Sequence, residues 1–155
     1  MDTNARRDTV TTVGLGFHVA KTSATVPQGA VQTIFTVSGG RVLVELLVGE
    51  VTTVLGSTAN NLTVNTVPTT GTGLIIASAA EGNALEAGGL MVVEGDGTAL
   101  GIVGKAGAGM ITSGTGAWIC PTGTINFQCV ASTTGATKWD IWYVPLDVGA
   151  TVVTA

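Results

Sequence analysis

Charge is what this 155-residue chain has least of. Six basic and ten acidic side chains make up 10% of it, where an ordinary soluble domain carries about 25%. The balance is acidic, −4 with a pI near 4.6, and no Lys or Arg occurs between Arg41 and Lys105. That distribution excludes nucleic acid as a partner, which needs a basic stripe to displace counterions. It equally disfavours an anionic membrane surface. Long apolar runs are missing, so nothing approaches the ~20 uncharged residues of a membrane-spanning helix. The opening residues, Met-Asp-Thr-Asn-Ala-Arg-Arg, lack the apolar stretch of a secretory signal. The chain is therefore expected to be soluble and made in the cytoplasm. Cysteine is scarce too: Cys120 and Cys129 flank the turn-like Pro121-Thr-Gly-Thr124. In a hairpin they would stand more than ~10 Å apart, beyond the ~7 Å limit for bridged Cα atoms. Both read as reduced packing residues, and two thiols without further ligands make a poor zinc site.

What is present is β-forming. Hydrophobic residues reach 45%, and 23 glycines punctuate a chain rich in Thr and Val. Thr is β-branched and polar, which suits the outer face of a strand. With so few ions to cover the surface, much of that surface is expected to lie against neighbours. Residues 1–28 differ from the rest. They hold Arg6, Arg7, Lys21 and the only histidine, His18, with weak periodicity. They read as an extended arm with a strand around residues 19–26, or as a disordered terminus. From residue 29 to residue 155 strand signals are dense. Two β-branched runs around Ser38-Gly-Gly-Arg41 predict a hairpin, and Gly116 to Cys120 with Thr124 to Val130 predict a second. The run 42–48 is apolar in both alternating sets except at Glu45, which predicts a central strand covered on both faces, continued past a bulge at Gly49. Residues 78–89 read as a loop with at most one helical turn. In the run 138–144, Trp139, Ile141 and Tyr143 alternate against Asp140, Trp142 and Val144, so one face belongs to the core. Trp118, Phe127 and one of Trp139 and Trp142 are assigned to the core, and the outward tryptophan becomes an anchor for another subunit. Some eight short strands without a strong helix predict one all-β domain: an antiparallel β-sandwich, jelly roll or small barrel behind an extended N-terminal arm.

Signs of catalytic or cofactor chemistry are thin. A hydrolytic triad needs a histidine base, and His18 sits in the expected arm, where an interfacial role suits it better. The carboxylate pairs Glu94/Asp96 and Glu45/Glu50 are close in sequence, as such pairs are in any chain, and nothing else suggests a glycosidase cleft. Gly101-Ile-Val-Gly-Lys-Ala-Gly107 fails the phosphate-loop pattern, because Ala99 stands where the first glycine belongs and Ala106 follows Lys105. Asn61-Leu-Thr63 matches a glycosylation sequon without a secretory context. Glu94-Gly-Asp-Gly97 offers too few oxygens for calcium. No catalytic residue, metal or cofactor is assigned.

Several short strings resemble a known group of proteins. Phe35-Thr-Val-Ser-Gly-Gly-Arg-Val-Leu-Val44, Gly49-Glu-Val-Thr-Thr-Val54, Pro121-Thr-Gly-Thr-Ile125 and Lys138-Trp-Asp-Ile-Trp-Tyr-Val-Pro-Leu-Asp147 are similar to segments of capsid decoration (cement) proteins of tailed bacteriophages. The resemblance runs from about Val31 to the end of the chain. It implies a non-enzymatic virion structural protein on the capsid surface, a homotrimer whose extended terminus reaches neighbouring capsomers and whose partners are copies of itself and the major capsid protein. Arg6, Arg7, His18 and Trp142 are then the candidate contact residues, and deleting residues 1–20 is expected to weaken capsid binding. A tail or neck protein of the same virion and a carbohydrate-binding β-sandwich displaying Trp142 or Trp139 are the alternatives.

Overall fold

The computed structural model describes residues 16–93, 95, 101–103 and 117–155; Arg6, Arg7, Glu94, Asp96 and Lys105 lie outside them. Within the described residues the chain is all-β, with no helix. Its strands are β1 (Phe17–Thr25), β2 (Val31–Ser38), β3 (Val42–Thr53), β4 (Asn61–Pro68), β5 (Leu74–Glu81), β6 (Leu90–Val93), β7 (Gly101–Val103), β8 (Trp118–Cys120), β9 (Gly123–Cys129), β10 (Ala136–Pro145) and β11 (Thr151–Thr154). They form two antiparallel sheets. One runs β1-β10-β3-β6-β7, with β8 also paired to β3; the other runs β11-β2-β9-β4-β5. Their inner faces close over a single core, the arrangement of a β-sandwich.

The core follows from alternation. On β10, Thr137, Trp139, Ile141 and Tyr143 point inward and are buried, while Lys138, Asp140, Trp142 and Val144 point outward. Trp139, 1% exposed, meets Phe127 of the opposite sheet with ring centroids 5.0 Å apart and planes tilted by 53°. That offset geometry is favoured by the ring quadrupoles. Its indole Nε1 donates to Thr137 Oγ1 at 3.2 Å, so the buried N–H is satisfied. Gly49 makes the room: a Cβ there would stand 2.8 Å from the indole Cη2 and 2.8 Å from Met91 Cε. The glycine read as a bulge is therefore a regular strand position cleared for a ring.

The bulge lies four residues earlier. Leu46 pairs with Trp142 and Val44 with Tyr143, so Glu45 is the extra residue of β3. Val42 and Val44 face inward before it, and Leu47, Gly49 and Val51 after it. This slip by one explains why both alternating sets are apolar in the sequence: one set supplies the core first, then the other. β3 is central, as expected, but its outer face is not fully covered, since Leu43, Leu46 and Val48 are half-buried and Glu45 is exposed.

Both expected hairpins are instead connections between the sheets. β2 pairs with β9 and β11, β3 with β10, β6 and β8, and never with each other. Likewise β8 joins β3 while β9 lies in the opposite sheet. The chain turns out of the sheet plane at Gly39 (φ 74°) and Gly40 (φ 146°), and again at Gly123 (φ 151°), backbone conformations open chiefly to glycine. Val37 and Val42 thereby enter the core from opposite sides. The first turn is pinned from afar: Asp147 accepts the Arg41 backbone N–H at 2.8 Å and its Nε and Nη2 at 2.9 Å each. Sequence-adjacent strands pair only at β4–β5 and β6–β7 among the described residues.

The expected strand near residues 19–26 is β1, an edge strand aligned on β10 from Phe17↔Tyr143 to Thr25↔Ala136. Residues 17–25 of the expected arm are thus part of the packed domain, and Val26 behind them is 1% exposed.

Two stability measurements test the first arch. A Cβ on Gly39 would lie 2.2 Å from the Gly149 carbonyl oxygen, whereas one on Gly149 (φ 83°) meets nothing within 4 Å. Gly149→Ala should cost only the left-handed strain, roughly 1–2 kcal/mol, and Gly39→Ala clearly more; equal urea midpoints for the two would refute the packing. The hydrogen bonds from the Arg41 side chain, and then from its backbone, hold the Asp147 carboxyl well below the ordinary carboxylate range. A depressed acid stabilises the fold above its unfolded pKa of about 3.9 and loses that contribution as pH falls through the folded value. The stability gap between wild type and Asp147→Asn should therefore be full at neutral pH and shrink below about pH 4.

Candidate interaction surface

The outer face of the six-stranded sheet is built by rows of side chains that the register sets side by side. One row holds Ile119, Leu43 and Val144. The next holds His18, Trp142 and Leu46, and a third Ala20, Asp140 and Val48, ending at Val92, which is only 5% exposed. A fourth pairs Lys138 with Glu50 and Leu90. A solvated sheet face reads as polar in such positions; here aliphatic and aromatic groups fill most of them. Ile119 is 59% exposed, and Val148, just past β10, is fully exposed.

Four of the ionisable side chains on this face pair within it. His18 Nε2 meets Asp140 Oδ1 at 2.7 Å, and the imidazole stacks on Trp142 with centroids 4.5 Å apart and planes 23° from parallel. Lys138 Nζ meets Glu50 Oε2 at 2.8 Å, and that hydrogen bond raises the Lys138 pKa from its ordinary value. Glu45 at the bulge is exposed. A partner docking here would strand little charge, the usual cost of burying an ionic surface.

Of the four expected contact residues, the fold brings two together. His18 and Trp142 lie 124 positions apart in sequence and stack because Phe17 to Lys21 of β1 run antiparallel to Trp139 to Tyr143 of β10. The outward member of the tryptophan pair is Trp142; Trp139 is inside. Arg6 and Arg7 lie outside the described residues. Sequence reading missed Ile119, and it missed the exposed Leu74 and Ile75 (65% and 56%) on edge strand β5. The signal for that last pair was two large aliphatics side by side after Gly73, of which a single buried face can claim one.

The opposite outer face mixes neutral polar groups with exposed aliphatics, since Val31, Val67, Ile75 and Val153 stand in its rows beside Gln128, Thr124, Asn65 and Thr36. Asn126 donates to Asn65 Oδ1 at 3.2 Å, and Thr63 to Gln128 Oε1 at 3.5 Å. Of the carboxylate pairs singled out in the sequence, Glu50 is bound to Lys138, and Glu94 and Asp96 lie outside the described residues. Among the described residues no three His, Cys, Asp or Glu side chains gather as metal ligands. No protein-family model, curated protein or solved structure matches this chain.

Cys120 and Cys129 are free and buried. Desolvation pushes the Cys120 thiol up to about 12 and the Cys129 thiol up to about 11, the latter despite a hydrogen bond with Asn60 that acts the other way. Thiolate is the reactive form, so the native protein should react negligibly with a disulfide reagent at pH 8 and release two thiols per chain on unfolding. Rapid native reaction at either site would contradict this burial.

Proposed function

We propose that this chain is a virion structural protein, a capsid decoration (cement) protein of a tailed bacteriophage, that assembles as a homotrimer and stabilises the head by bridging subunits of the major capsid protein. The observation that carries the reading is the largely apolar outer face of the six-stranded sheet, whose ionisable groups other than Glu45 pair among themselves. Exposed apolar patches of this kind mark surfaces that meet other proteins. The strand order, β1-β10-β3-β6 opposite β2-β9-β4-β5, supports reading the sandwich as a jelly roll, an architecture recurrent in capsid proteins. Low charge suits a subunit packed against copies of itself and a shell, and threefold symmetry would bury one such face three times. A tail or neck component of the same virion would use the same surface, and copy number per particle separates the two.

A carbohydrate platform on the tryptophans is less favoured. Trp139 is 1% exposed, and one face of Trp142 is already taken by His18.

The test combines solution mass with capsid binding. The purified protein should sediment as a trimer and saturate expanded capsids. Ile119→Lys and Trp142→Ala should each lower occupancy or trimer stability by about tenfold, as central apolar anchors do. Truncation must stop at residue 15, since removing residues 1–20 would cut into β1; loss of residues 1–15 should weaken capsid binding and leave the sandwich folded. A monomer that ignores capsids, with both variants silent, would overturn the proposal.

A further inference from the structure

We propose that the groove at the end of the sandwich where three inter-sheet connections meet binds a neutral, hydroxyl-rich ligand, a short saccharide. Gly56, Ser57 and Thr58 of the β3–β4 connection form one wall, Ser132, Thr133 and Thr134 of the β9–β10 connection the other, and Gln28 of the β1–β2 connection closes the side. The groove opens broadly to solvent and offers ≈ 390 Å³, at the small end of the ~300–1,000 Å³ of small-molecule sites.

The walls are fixed before any ligand arrives. Gly56 N–H donates to the Thr134 carbonyl at 3.0 Å, and Gly56 in turn accepts from Ala84 N–H at 2.9 Å. Asn60, 2% exposed, clamps the connections together. Its Nδ2 donates to the Ala131 carbonyl at 3.1 Å, its Oδ1 accepts from Ala131 N–H at 3.0 Å, and its own N–H donates to Glu81 Oε1 at 2.9 Å. Gln28 Nε2 donates to the carbonyls of Val26 and Thr133. A Cβ at Gly56 would stand 2.8 Å from Thr133 Oγ1 and 3.1 Å from Thr134 Oγ1, so only hydrogen at that position admits both hydroxyls to the groove floor. Such preorganisation spares the ligand the cost of ordering loops.

The lining chooses the chemistry. Thr133 is 5% exposed, yet its hydroxyl donates only to the Thr134 carbonyl at 3.5 Å, the far limit of a hydrogen bond. It keeps acceptor capacity, and Ser57, Thr58, Ser132 and Thr134 add hydroxyls that both donate and accept. None of the lining residues is titratable. A phosphate, sulfate or ammonium group would lose hydration here without a countercharge, whereas the paired donors and acceptors of a sugar ring match the walls. None of its lining residues belongs to the strand rows of the proposed docking face.

Titration of the ¹⁵N-labelled protein with glucose, galactose, mannose, N-acetylglucosamine and their disaccharides, followed by NMR, tests the assignment. At least one sugar should give saturable shifts centred on Gly56, Ser57 and residues 132–134. Glucose 6-phosphate should bind several-fold more weakly than glucose. Thr58→Leu and Ser57→Leu alter exposed side chains, and each should weaken the response at least tenfold while the remaining spectrum stays in place. The proposal is overturned if no sugar gives saturable shifts, if the shifts gather at Trp142 instead, if they survive both leucine variants, or if the phosphorylated sugar binds more tightly.

Discussion

The sandwich depends on one contact between its sheets, the Trp139 indole wedged against Phe127 and seated over Gly49. The largest side chain of the core comes from β10, its aromatic partner from β9 in the opposite sheet, and the space from β3. Truncating an aromatic in such a position costs about 3–5 kcal/mol, a large fraction of the stability of a small domain. The contact also sets polarity elsewhere. With Trp139 inside, strict alternation sends Trp142 outside, and β1 then lays His18 on it. The apolar outer surface is the other side of the same register.

The sequence made the strands legible because their signal is local. β-branched runs, glycine punctuation and Pro145 marked β2, β3, β9 and β10 closely, and alternation correctly placed Ile141 and Tyr143 on one face with Trp142 on the other. The partners of those strands were not legible. A Gly-Gly pair between two β-branched runs reads the same whether the chain folds back in plane or steps to the facing sheet. The choice is tied to the positive φ of both glycines and to Asp147, 106 positions from Arg41. The bulge at Glu45 was hidden for a related reason: a single inserted residue makes two half-patterns look like one strand apolar on both sides. Of the candidate surface, composition alone showed that few ions were available to cover it. That His18 would sit on Trp142 required the register of two strands more than a hundred positions apart.

Both outer faces mix polar and apolar groups. That of the six-stranded sheet carries aliphatic and aromatic rows with internal ion pairs, that of the five-stranded sheet Asn, Gln and Thr hydrogen bonds interspersed with exposed Val31, Val67 and Val153. Edge strand β5 adds Leu74 and Ile75 on a side where natural sheets usually place Lys, Pro or another guard against pairing. With 10% charged residues, the chain leaves those positions unguarded.

The interleaving of strands dictates when the chain can acquire its shape. β10 lies between β1 and β3, and β9 between β2 and β4. A nascent chain emerging through residue 93 therefore holds four strands whose central neighbours have not yet been synthesised. Closure waits for residues 123–145, and both sheets then complete together, so the transition should be slow and cooperative, as it is for topologies dominated by distant pairings. Until that moment the ribosome presents unpaired, charge-poor edges, which makes the interval before release the time of greatest exposure to aggregation.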